Sequence, residues 1–155
     1  MNGSARRADR DASGTPPSFS DGEWRMLRAI RPNILIIGLN DAVDPAVMAL
    51  VGELPGTVSH LAPNAPPPEE QSGDDAGMLI VPDVAALSAE RQHEWLAWLN
   101  DPDARRPQIV ATSPVPLYPM VVKETFLEAL YYRLNTILLD VQDPANGAYQ
   151  RYGDA

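Results

Sequence analysis

Four short apolar runs, NILIIGL (33–39), MLIVPDV (78–84), PQIVATS (107–113) and TILLDV (136–141), limit what this chain can become. None alternates apolar and polar residues as a half-solvated strand does. Each is apolar at consecutive positions, the pattern of a strand buried on both faces of a sheet. Such strands need cover on two sides, and the stretches between them carry the helical periodicity that can supply it. GTVSHL (56–61) reads as a further short strand. Strands alternating with helices predict an α/β fold: a five-stranded, mostly parallel sheet with flanking helices. Ligands of such sheets lie beyond the strand C-termini, here by the loops after residues 39, 84 and 113.

The helices can be read from caps and periodicity. DGEWRMLRAI, capped by Ser20 or Asp21, sets Trp24, Leu27 and Ile30 on one side with Met26 flanking, and Pro32 stops it. NDAVDPAVMALVGEL offers Asp44 as N-cap, Pro45 at the first helical position and an apolar face of Val47, Leu50, Val51 and Leu54. LSAERQHEWLAWLN starts at a Ser88 cap and directs Leu87, Trp95, Leu96 and Leu99 to a core. Trp98, three residues from Trp95, is then expected at the surface as a contact residue. VVKETFLEALYYRL predicts one helix leading into the last strand. Pro82 is tolerable only near the end of its strand.

Around this single domain, residues 20–143, the sequence predicts a disordered tail over 1–19, a mobile proline-rich acidic loop over 62–76 and a polar tail over 144–155. The chain is 155 residues long and 45% apolar, enough for one core. Its formal charge of −9 argues against a nucleic-acid or anionic-membrane surface, because phosphate binding relies on a Lys/Arg excess. There is no cysteine, hence no disulfide, thiolate nucleophile or Cys-ligated metal. No apolar run approaches the ~20 residues of a membrane helix, so a cytoplasmic protein is expected. His60 and His93 form no metal cluster with a nearby carboxylate pair in sequence, and no metal or cofactor is expected.

FLEALYYRLNTILLDV (126–141) resembles the Phe-Arg-x-Asp-Leu-Tyr-Tyr-Arg-Leu-Asn segment before the fifth strand of the AAA+ ATPase domain in sigma-54-dependent, NtrC-like enhancer-binding proteins of bacteria. GMLIVPDVAALSAERQHEWLAWL is similar to that family's Walker B strand and following helix. QIVATSP resembles the sensor I strand, and NILIIGLNDAVDP occupies the place of the first strand and P-loop. The resemblance implies an AAA+-like P-loop NTPase core over residues 23–141. The chain ends soon after the fifth strand, which predicts neither a helical lid nor a DNA-binding helix-turn-helix.

The chemistry-bearing positions depart from the family. A P-loop needs glycines to wrap phosphate with backbone N–H groups, a lysine for the terminal phosphates and a Ser/Thr for magnesium. GLNDAVDP keeps only Gly38, with Asp44 at or near the lysine position. Pro82 stands at the magnesium-binding aspartate, Asp83 at the water-activating glutamate, and Ser113 at the sensor I asparagine. Leu127 replaces the first trans-acting arginine and Arg133 keeps the second. No Gly-Ala-Phe-Thr-Gly-Ala motif for sigma-54 contact is present. The resemblance therefore implies a core without ATPase activity. It is expected to bind a protein partner, an AAA+ ATPase or a second copy of itself, through Arg133, Tyr131, Tyr132 and Trp98. A pseudo-receiver is the alternative, with Asn40 and Asp41 in place of the acidic pair and Asp83 near the phospho-acceptor; it requires strand order 2-1-3-4-5. A nucleotide-binding small enzyme is the third reading.

Overall fold

The computed structural model describes residues 19–54, 56–68, 77–101, 107–141 and 150–151. Strands β1 (Ile34–Ile37), β2 (Val58–His60), β3 (Met78–Val81), β4 (Gln108–Ser113), β5 (Ile137–Asp140) and β6 (Gln150–Arg151) form one sheet in the order β2-β3-β4-β1-β5-β6. The first five are parallel and β6 runs antiparallel to β5. Five parallel strands were expected; β6 was not, since its polar sequence carries no strand pattern. β5 lies beside β1 and β4 lies on β1's other side. That order overturns the pseudo-receiver reading, which needs β1 between β2 and β3.

Every residue of β1 and β3 is buried, as consecutive apolar positions demand. Alternate side chains then feed two cores. Ile34, Ile36, Ile80 and Val110 pack under α1 (Asp21–Ile30) and α2 (Asn40–Glu53). Leu35, Ile37, Leu79 and Ile109 pack under α3 (Ala89–Asn100), α5 (Glu128–Leu134) and the short 3-10 turn Val84–Ala86. Each such fully buried aliphatic side chain contributes about 2 kcal/mol of transfer free energy.

The expected caps of α1 and α3 are found: Ser20 accepts from the Glu23 N–H at 3.2 Å, and Ser88 from the Arg91 N–H at 3.2 Å. On α1, however, only Leu27 is buried, and Ile30 is 67% exposed. The helix ends at Ile30, and Arg31 caps it in the left-handed conformation. α2 begins at Asn40, four residues before the expected Asp44 cap, and encloses Pro45. Burial explains the early start: Val43, Ala46, Val47 and Leu50 all face β1, so the first turn must already be helical. The segment 118–134 is two helices, α4 (Tyr118–Val122) and α5, separated by a turn in which Glu124 has φ 62°.

The glycine that begins the GMLIV run has a steric reason. A Cβ on Gly77 would lie 2.1 Å from the Thr57 carbonyl oxygen, the same oxygen that accepts from the Met78 N–H at 2.7 Å. Gly77→Ala is expected to force β2 away from β3 and to cost about 3 kcal/mol, read as a lowered urea midpoint. Of the expected tails only Phe19 and residues 150–151, which form β6, are among the described residues; of the acidic loop residues 62–68 are described, with a turn at Pro63–Asn64. Among the described residues no helix is long and apolar enough to cross a membrane.

Candidate functional site

Because β1, β3 and β4 are parallel neighbours, the loops leaving their C-termini converge on one crevice of about 340 Å3. Gly38 and Leu39 follow β1, Pro82 and Asp83 follow β3, and Thr112, Ser113 and Pro114 close β4. The sequence anticipated this place. Its walls are mostly apolar, with Val43 and Pro63 completing them.

The connection from β1 to α2 is two residues long, Gly38 and Leu39, and Gly38 is tied down by its N–H to the Ser113 carbonyl at 2.9 Å. Residues 40–45, where the family resemblance places a phosphate-wrapping loop, are helical. Asp41 occupies the first turn of α2, where its charge complements the helix dipole. Asp83 is held at φ 50°, ψ 57°, and its N–H donates to the Thr112 hydroxyl at 3.2 Å. Ser113 is buried; its hydroxyl donates to the Val115 carbonyl at 2.5 Å and accepts from the Val115 N–H at 3.2 Å. That local turn occupies the hydroxyl with the chain's own backbone.

The Tyr-Tyr-Arg junction lies in α5. Tyr131 is buried and Tyr132 is 43% exposed, as one core ring and one rim ring. Their centroids are 5.1 Å apart, and Tyr118 of α4, itself exposed, stands 5.9 Å from Tyr131. Burial is the main cause that raises the Tyr131 phenol above its ordinary value of 10.0; Tyr132 and Tyr118 add to the rise and a hydrogen bond from Asn135 opposes it. In the unfolded chain this phenol ionises first, so folding retains the proton longer. Stability is therefore expected to fall as pH climbs through 10 and above, and Tyr131→Phe should flatten that alkaline loss in urea titrations.

Arg133 turns inward along the molecule's flank. Its guanidinium donates to the Leu99 carbonyl and the Asn100 side-chain oxygen, fastening α5 to the C-terminus of α3. Its own carbonyl accepts from Asn33 at 2.8 Å. Trp98, expected at the surface, is instead half-buried: it packs edge-on to Trp95 at 5.3 Å and joins the same core. A T-shaped pair lets two indoles three residues apart share one helix face. The structure thus groups Tyr131 and Tyr132 with Tyr118, and places Arg133 at the edge where β5 begins, across the sheet from the crevice. Tyr118 and Arg31 were not anticipated. Arg31 had one signal, an arginine directly before Pro32 where a helix must end. His60 and His93 are both exposed, and among the described residues no three metal-ligating side chains assemble.

The model of a family described as "Sigma-54 interaction domain" matches residues 46–143, more than half of the chain. Among solved structures, NtrX from Brucella abortus in complex with ATP is similar with a TM-score of 0.60 at 19% identity, over 92% of this chain and 40% of that one. NtrX in complex with ADP is similar with a TM-score of 0.58 at 19% identity, over 84% and 38%. The P-loop NTPase domain of the sigma-54 transport activator from E. coli is similar with a TM-score of 0.52 at 16% identity, over 81% and 99%. The chain spans 40% of the NtrX chain solved with ATP. No curated protein matches. At these identities the structural likeness establishes the fold, a P-loop NTPase core.

Proposed function

Because the chain belongs to the sigma-54 interaction domain family, we propose that it is an AAA+-derived regulatory protein that binds a protein partner without turning over nucleotide. The two-residue entry into α2 is the observation that carries this reading. A triphosphate needs a ring of backbone N–H groups and a lysine; here the chain passes directly into a helix bearing Asp41 and Asp44. Like charges at such range repel by several kcal/mol at low effective dielectric. Pro82 at the magnesium-binding position removes the metal carboxylate, which also argues against hydrolysis. NtrX from Brucella abortus was solved with ATP and with ADP; for this chain we propose that the corresponding crevice is not a nucleotide site.

The partner in this proposal is an active enhancer-binding ATPase or a second copy of the chain, in the cytoplasm and in transcription control. Tyr132 and its neighbour Tyr118 supply exposed aromatic surface on one flank, the residue type that dominates binding energy at protein interfaces. Tyr131 contacts both rings, while Arg133 holds α5 against α3 and Trp98 packs on Trp95 within α3.

Calorimetry with Mg-ATP and Mg-ADP, with NtrX as positive control, tests the first half. Millimolar nucleotide is expected to shift Tm by under about 1 °C. A shift of several degrees would instead support the nucleotide-binding enzyme and remove the regulatory reading. For the second half, a tagged chain is used to recover partners from its native cell. Recovery of an enhancer-binding ATPase that Tyr132→Ala loses is the expected result; recovery of an unrelated complex unaffected by Tyr132→Ala and Arg133→Ala would sink the transcription role.

A further inference from the structure

A second cleft, of about 340 Å3, opens at the other end of the sheet, where β1, β4 and β5 begin. Arg31, Asn33, Pro107, Arg133 and Thr136 line it, and almost all of its surface is polar. Two arginines therefore line one cleft in a chain whose formal charge is −9.

Both are held by neutral acceptors. Arg31 donates to the Gly77 carbonyl at 2.7 Å, and Arg133 to the Leu99 carbonyl and the Asn100 side chain. Among the described residues, neither pairs with a carboxylate; the ion pairs found there are Arg28–Glu53 and Arg91–Glu94. A guanidinium has five N–H donors, so one pinned by carbonyls is oriented, keeps its full charge and retains donors for a further acceptor. The floor between them is equally fixed. Asn33 donates to the Arg133 carbonyl and accepts from the Ile109 N–H at 3.1 Å, while Gln108 donates to the Pro32 carbonyl at 2.8 Å.

Arg31 also carries backbone strain. It sits at φ 56°, ψ 55°, the left-handed helix terminator that glycine fills without penalty. A glycine there would relieve the strain and forfeit the charge, so the arginine marks a place where side-chain chemistry outweighs backbone comfort.

We infer that this cleft is an oxyanion-binding site, built by Arg31 and Arg133, for a small ligand bearing phosphate or carboxylate groups. Its volume falls in the range of small-molecule sites, and paired guanidinium forks match the planar or tetrahedral oxygens of such ligands. The inference stands apart from the regulatory reading, because it uses neither the crevice nor a protein partner.

The test titrates the full chain with inorganic phosphate, pyrophosphate and citrate at fixed ionic strength, with glycerol as the neutral control, by calorimetry. Saturable binding at one site is expected, weakened at least roughly tenfold in Arg31→Gln and Arg133→Gln. Arg133→Gln also loosens α3, so Thr136→Glu provides an independent arm. It places a carboxylate in the cleft without removing either arginine, and should abolish binding while leaving Tm unchanged. Tighter pyrophosphate than citrate identifies a phosphate ligand, and the reverse a carboxylate; either order supports the site. Binding that never saturates, or that Arg31→Gln and Thr136→Glu leave intact, overturns it.

Discussion

Exchanging Gln92 for leucine is expected to lower the unfolding free energy by about 2–4 kcal/mol, seen as a reduced denaturant midpoint at unchanged slope. Gln92 is 3% exposed, and its carboxamide serves three backbone groups at once. It donates to the Leu87 and Thr125 carbonyls, each at 3.1 Å, and accepts from the Leu127 N–H at 2.8 Å. Leucine preserves the bulk and abandons all three. The stranded Leu127 N–H matters most, because it opens α5 and has no helical acceptor of its own. A loss below about 1 kcal/mol would mean that the 123–127 turn swings out to water, and that Gln92 does not position α5. The same variant should weaken any binding that depends on Tyr132, since that ring rides on the helix Gln92 secures.

Trp95→Ala is expected to cost about 3–5 kcal/mol, the range for emptying an aromatic site in a packed core. Trp95 is 2% exposed, contacts Trp98 edge-on and donates its indole N–H to the Ala65 carbonyl at 3.0 Å. That bond, beside the Arg91 Nε donation to the Asn64 carbonyl at 3.0 Å, anchors the 62–68 segment to α3. Trp95→Phe retains most of the volume and drops the bond, so its smaller cost isolates the anchor, about 1 kcal/mol. Equal losses for the two variants would show that volume contributes nothing here, contrary to the packing described.

The strands were legible because burial on both faces leaves consecutive apolar residues, and ILII or MLIV admits little else. The family resemblance implies the last strand beside the first, with the fourth on its other side; periodicity alone carries no neighbour relations. The break between α4 and α5 was hidden, since VVKETFLEALYYRL keeps helical spacing throughout while Gln92, more than thirty residues away, captures Thr125 and Leu127. A distant side chain outcompeted local propensity. At the candidate sites the residue types were readable and their partners were not. Arg133 showed itself as a helix-terminal arginine, but its attachment to Leu99 and Asn100 spans 34 and 33 positions of sequence. Arg31 and Arg133 line one cleft only because β1 and β5 are neighbours, a fact of topology.

The sheet's two margins carry a last consequence. A parallel sheet exposes at each side a row of unpaired amides and carbonyls that can recruit strands from other molecules. Here β6 crosses antiparallel over one side, and β2 presents just three residues on the other. Among the described residues neither border offers a long flat template for polymerisation. Borders this short disfavour edge-to-edge pairing between copies.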